Sequence, residues 1–261
     1  CPMCGAYTGL FVRTGMLEDK GRVAYQHADK QSCPMVNWQR AVNEIALVDT
    51  NTGRVDYGIK SLFKVIGNSF PLFSPLFSFQ PFVWLMAKLY AFISYNRKVI
   101  IPSPASSSYH IQPAFRPGYR LLYLLFTVWL ASLILNEYAP LFSTIIPAGH
   151  QYRELLVCGG QVLFQACVIL FVNHKLKWEY LGNMMTISLA GALLLLPMLL
   201  ISTFTQLPQI VYALYILFVA GLMLLEHARR TRLLGLGWTM TMTWVLYRIL
   251  ILLVILNFSW I

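Results

Sequence analysis

From residue 119 onward the chain is built of five apolar segments, at about Tyr119–Leu135, Leu155–Val172, Leu181–Ser202, Ile210–Leu225 and Thr239–Trp260. A stretch of roughly 20 such residues matches the hydrocarbon thickness of a bilayer, and a helix satisfies its own backbone hydrogen bonds there. The first and fourth segments are at the short end of the workable range. Trp178, Tyr180, Tyr212 and Trp260 lie near segment ends, where amphipathic rings favour the headgroup level. This half of the chain is therefore expected to be an all-α transmembrane bundle of about five spans, residues 119–261, with the lipid bilayer as its partner.

Charge separates this half from what precedes it. Residues 1–118 carry twelve of the twenty Lys and Arg and six of the ten Asp and Glu. With 57% hydrophobic and only 11% charged residues overall, the composition is that of a membrane protein carrying a water-soluble module. The net charge of +10 does not point to nucleic acid, because no basic run is long enough to follow a phosphate backbone. Basic residues fall instead in alternate loops. Lys175 and Lys177 separate the second and third segments, and Arg229, Arg230 and Arg232 the fourth and fifth. The loop before Arg153 and the stretch 203–209 are poor in positive charge. The positive-inside rule then expects a cytoplasmic N-terminal domain and a C-terminus on the opposite side.

Within the soluble part, apolar spacing predicts a helix from about Pro2 to Leu17 and a short strand at Val23-Ala24-Tyr25. A second helix is expected from Pro34 to Val42, then a hairpin of Ile45–Val48 and Val55–Tyr57 around the Asp49–Gly53 turn. Gly58 opens a third helix bearing Leu62, Val65 and Ile66. A Pro- and Phe-rich stretch, Phe70 to Phe77, leads to an apolar helix from about Phe82 to Tyr95. At that length it is too short to span, which favours packing or lying in the membrane interface. Asn96-Arg97-Lys98 is expected to end it, and 101–118 reads as a Pro/Ser linker. This order of elements predicts an α/β domain over residues 1–100, with a first strand expected just upstream of Cys1.

Cys1-Pro2-Met3-Cys4 is the most chemical of the local signals. Two thiols separated by two residues at a helix start can close a small disulfide ring, and the helix N-terminus favours a thiolate on the first sulfur. Pro2 suits the first helical position, where its missing N–H costs nothing. This geometry makes Cys1 the nucleophile and Cys4 the resolving thiol. The competing reading is a zinc half-site completed by Cys33 and His27.

These residues resemble those of the thiol-disulfide oxidoreductase DCC family. The similarity runs through Cys1-Pro2-Met3-Cys4, Gly21-Arg22-Val23-Ala24-Tyr25, Leu47-Val48-Asp49, Val55-Asp56-Tyr57-Gly58 with Ser61-Leu62, and a Tyr90…Asn96-Arg97 ending. It covers about residues 1–100 and nothing in the membrane half. The resemblance implies a thioredoxin-like fold and carries over Cys1 and Cys4 as the catalytic redox pair. The Asp that precedes the family's Cys-x-x-Cys would fall before Cys1, and no proline immediately precedes Ile45–Val48. The implied partner is a protein or small-molecule thiol, with no cofactor.

Of the remaining candidates, Cys33 repeats the Cys-Pro-Met context and is a candidate third thiol. Cys158 and Cys167, about 13 Å apart along one helix, cannot pair with each other. Arg248 lies deep in the last apolar segment, where a charge costs several kcal/mol unless paired or hydrated, and is a candidate intramembrane site. His150, His174 and His227 fall at segment ends, which argues against a bis-His haem. The expected function is membrane-anchored thiol-disulfide exchange by the Cys-x-x-Cys pair. The alternative is a multi-span transporter or lipid-handling protein with a regulatory or zinc-binding thiol domain.

Overall fold

The computed structural model describes residues 2–18, 20–102, 113–147 and 149–257. It divides into two units, Cys1–Tyr119 and Arg120–Ile261.

The first unit begins with α1, Pro2–Arg13. This helix stops short of Leu17 because Gly15 takes a left-handed conformation (φ 73°) and the amides of Gly15 and Met16 turn back onto the carbonyls of Val12 and Phe11. Arg22 reaches back to α1, donating to the Gly5 carbonyl at 3.1 Å. The strand expected at Val23-Ala24-Tyr25 is not formed. Tyr25 instead enters a 3-10 turn, Tyr25–His27, and packs edge-on against Trp38 with ring centroids 5.5 Å apart. Trp38 belongs to a four-residue helix, α2, Trp38–Ala41, capped by the Asn37 side chain.

The hairpin is present as β1, Ala46–Val48, and β2, Val55–Tyr57, paired antiparallel with Ala46 opposite Tyr57 and Val48 opposite Val55. Its turn is held by Asp49, whose carboxylate accepts the amides of Asn51 and Thr52, and by Gly53 at φ 70°. Among the described residues this two-stranded sheet is the whole of the β-structure. The α/β thioredoxin-like architecture is therefore not what the first unit forms. An α/β layer needs parallel strands joined by crossovers, and here the candidate third strand spends its Tyr ring on Trp38.

Helices make up the rest of the unit: α3, Ile59–Ser69, α4, Ser74–Ser78, and α5, Gln80–Ile100. Phe63 of α3 stacks on Phe77 of α4 (4.4 Å) and Phe82 of α5 (5.7 Å), which joins the three helices. The chain bends by 89° between the Pro71–Ser78 segment and α5. α5 is longer than the apolar pattern implied at both ends. Its polar residues Asn96 and Arg97 do not end the helix, because both are buried and hydrogen-bonded inside the unit. Residues 103–112, most of the expected linker, lie outside the described residues.

Among the described residues, four helical runs are long and apolar enough to cross a membrane: Pro117–Phe142, Arg153–Phe204, Gln209–Leu233 and Thr239–Asn257. The chain is an integral membrane protein. The first run contains α6, Pro117–Tyr138, and the 52-residue run breaks at a 3-10 turn, His174–Leu176, into α7, Arg153–Asn173, and α8, Lys177–Phe204. The Tyr180 hydroxyl donates to Gln165 Oε1 at 2.8 Å across this break. Fifteen residues of straight helix would hold them about 22 Å apart, so α8 folds back on α7. The last two runs are α9, Gln209–Leu233, and α10, Thr239–Asn257.

Burial in the second unit is inverted relative to a water-soluble bundle. Leu125, Leu156, Leu163, Phe171, Leu217 and Leu253 are exposed, whereas Thr127, Gln161, Gln165, Asn183, His227 and Thr241 are buried. Lipid is as apolar as leucine and gives no reason to bury it, whereas buried polar groups can hold helices together. One cluster packs Ile169, Tyr180, Met184, Met240 and Trp244. A second packs Tyr138, Cys158, Leu195, Tyr212 and Val219.

Candidate functional site

The described half of the Cys-x-x-Cys pair is Cys4, in the first turn of α1. Cys1 lies outside the described residues. The Cys4 side chain is half-buried, and its sulfur lies 3.5 Å from an Arg97 guanidinium nitrogen. Arg97 comes from the last turn of α5, 93 residues away in sequence. Its other terminal nitrogen donates to the Val42 carbonyl at 2.9 Å, and its Nε is buried without a partner.

One face of α5 creates this arrangement. The amide of Ile45 donates to the Tyr90 hydroxyl (3.1 Å), Ser94 donates to the Asn43 carbonyl (2.8 Å), and Arg97 donates to Val42. Positions 90, 94 and 97 follow helical spacing, so α5 is fastened along the segment leading into β1. The docking places the guanidinium over α1. No carboxylate pairs with Arg97 among the described residues, and the Cys4 sulfur is the nucleophilic atom nearest its guanidinium.

Tyr7 and Tyr90 flank the sulfur. Burial, and then the Cys4 sulfur beside it, push the Tyr7 hydroxyl above its ordinary range, so the phenol remains a neutral donor. Beside the sulfur opens a cavity of about 220 Å³, lined by Met3, Leu62, Met86, Leu89 and Ile93 among others. The wall is almost wholly apolar apart from Cys4, the two tyrosines, Ser94 and Arg97. Such a site combines a nucleophilic sulfur, a fixed positive charge and an apolar cleft open to one side.

The other sequence candidates are dispersed. Cys33 is half-buried in the loop before α2, with its backbone carbonyl accepting from Val36. Among the described residues, no three His, Cys, Asp or Glu side chains are grouped to hold a metal ion, so Cys4, Cys33 and His27 do not form a ligand set. Cys158 is buried and Cys167 exposed, on α7.

Arg248 lies midway along α10 with its guanidinium 5.2 Å from the Trp244 ring centroid. His227, expected at a segment end, lies instead within α9 and is fully buried. Its ring stacks on Trp244 at 5.2 Å and contacts the hydroxyls of Tyr180 (3.3 Å) and Thr241 (3.1 Å). Apolarity alone ended that segment too early, because Glu226 pairs with both Arg229 and Arg230 along the helix surface and the helix continues through them. Arg97 was likewise missed as a partner of Cys4. Its helical phase with Tyr90 and Ser94 is the signal that could have found it.

No family description, no curated protein and no solved structure matches this chain.

Proposed function

We propose that this protein is a membrane-anchored thiol-disulfide oxidoreductase, working through Cys1 and Cys4. The observation that carries the reading is Arg97, a buried cation with no carboxylate partner among the described residues, set 3.5 Å from the Cys4 sulfur. Burying an unpaired guanidinium is costly, and a thiolate at Cys4 would relieve that cost. Thiolates, not thiols, carry out disulfide exchange.

In this reading the Cys1 thiolate attacks one sulfur of a substrate disulfide, releasing the other as a thiolate that takes up a proton. Cys4, with the Arg97 guanidinium beside it, then loses its proton and attacks Cys1 in the mixed disulfide, which frees the second substrate thiol. Two electrons pass to the substrate, and the protein is left with a Cys1–Cys4 disulfide for an external thiol to reduce. The apolar cleft beside Cys4 favours a substrate that presents its disulfide among apolar groups. With the N-terminal domain in the cytoplasm, where thiols are kept reduced, the pair would act as a reductant. Thiol trapping in intact cells tests the reading: Cys1 and Cys4 should shift together from dithiol to disulfide under disulfide stress. A pair that stays reduced under every such stress would rule it out.

A further inference from the structure

The geometry points to a second site, independent of the thiols: an oxyanion-binding site at the centre of the α7–α10 bundle, formed by Arg248, Trp244 and Gln161. Arg248 is nine residues from either end of α10, Thr239–Asn257, which places it at mid-span. It forms no ion pair or hydrogen bond with any described residue, and its Nε is buried. Trp244, one turn earlier and 5% exposed, has a buried indole N–H with no partner among the described residues. Gln161 on α7 is 1% exposed, and neither its amide nitrogen nor its oxygen has a partner among the described residues.

Packing of α7 on α10 brings these residues to one region. Tyr247 donates to the Val157 carbonyl at 2.9 Å, and Gln165 donates to the Thr243 hydroxyl at 3.3 Å. The Tyr247 hydroxyl, one residue before Arg248, also lies against Gly160, one residue before Gln161. The polar groups next to them are satisfied: Gln165, Tyr180, His227, Thr241 and Thr231 form a continuous buried chain of hydrogen bonds. Unpaired polar atoms are therefore not general to this bundle interior. The unpaired ones at Trp244, Arg248 and Gln161 lie on the stretches of α10 and α7 that these contacts hold against each other.

The type of ligand follows from what is unpaired. Three N–H donor groups and a positive charge stand against a single free acceptor, Gln161 Oε1. A cation would add to the charge, and a water molecule would satisfy dipoles while leaving a guanidinium uncompensated at membrane depth. A carboxylate or phosphate group supplies both the charge and several acceptors in the geometry that guanidinium favours. It could be the head of an anionic amphiphile or a free small anion.

The test uses the full chain in phosphatidylcholine nanodiscs, with thermal unfolding followed as probe is added: oleate, phosphatidic acid, inorganic phosphate or acetate. At least one probe should raise the midpoint of the unsubstituted protein in a saturable way. Response to oleate or phosphatidic acid alone assigns an amphiphile, and response to phosphate or acetate assigns a free anion. Arg248→Gln should abolish the response. Because loss of Arg248 could also disturb folding, Trp244→Phe and Gln161→Leu serve as milder variants, each expected to weaken apparent binding about tenfold, the scale of one charge-assisted hydrogen bond. The site is refuted if no probe shifts the midpoint, or if both milder variants respond as strongly as the unsubstituted protein. Should they instead unfold at higher temperature while every probe is inert, the unpaired groups are only frustrated packing, and the inference also fails.

Discussion

The Arg97 guanidinium lies 3.5 Å from the Cys4 sulfur, joining the last turn of α5 to the first turn of α1. This contact makes Cys4 the most chemically distinctive thiol among the described residues. It also ties the helix that carries the motif to the hairpin entry, since Arg97 donates to the Val42 carbonyl as well. Removing it should change reactivity more than structure, provided the Val42 bond is replaced.

Arg97→Lys and Arg97→Gln separate these roles. Replacing the guanidinium by a neutral amide should slow alkylation of Cys4 by iodoacetamide about tenfold at fixed neutral pH, the scale of one charge-assisted hydrogen bond. Lysine retains the charge and should keep most of the rate. Equal alkylation rates in all three proteins would show that Arg97 has no influence on the sulfur.

Tyr180→Phe removes the hydroxyl that bridges α7 and α8 and also contacts His227. Gln165 Oε1 would keep only its 3.4 Å contact from Thr243. The expected loss is about 1–2 kcal/mol for a buried acceptor left poorly satisfied, measured by thermal unfolding in detergent micelles. A Phe variant as stable as the parent would mean that packing alone holds the α7–α8 turn closed.

Two glycine substitutions should differ in cost. A Cβ at Gly160 would meet the Tyr247 hydroxyl, which is held in place by its bond to the Val157 carbonyl. A Cβ at Gly191 would meet Met223, a flexible side chain that can move aside. Gly160→Ala should therefore destabilise the bundle by about 1–3 kcal/mol and Gly191→Ala by less, with unfolding midpoints as the readout. The reverse order would mean that Tyr247 is free to move.

Asp49 makes the hairpin turn dependent on pH. Hydrogen bonds from the Thr52 side chain and from the Asn51 and Thr52 amides, aided by Lys64, hold its carboxyl below the usual carboxylate range. A depressed folded-state value contributes stability that is complete above the unfolded carboxyl range near pH 4. That contribution disappears as pH falls through the folded value. Hydrogen exchange at the Gly53 and Arg54 amides should rise, relative to an unstructured peptide, as the pH is lowered below about 4. Asp49→Ala should remove that dependence.

The orientation inferred from the loop charges has its own readout. A reporter fused after residue 261 should be active on the side opposite the N-terminal domain, and cytoplasmic activity there would overturn the inferred topology.

Several features could be read from residue order because they depend on local properties. The membrane half follows from the length and apolarity of its helices, the hairpin from the Asp49–Gly53 turn chemistry, and α3 from the spacing of Leu62, Val65 and Ile66. The thiol motif is visible as four consecutive residues. Other features depend on long-range neighbours. Whether Val23-Ala24-Tyr25 becomes a strand is decided by a partner strand, and Tyr25 found Trp38 instead. Whether Asn96-Arg97 ends α5 depends on what they can bond, and both found backbone carbonyls.

Sequence alone thus determined that this chain enters a membrane, because crossing lipid requires a stretch of apolar residues long enough to span it, and that is a property of consecutive positions. Only the tertiary structure decided which polar residues matter. Arg97 is 93 positions from Cys4, and Gln161 is 87 from Arg248. A charge acquires its chemistry from what surrounds it in space, where chain separation no longer counts.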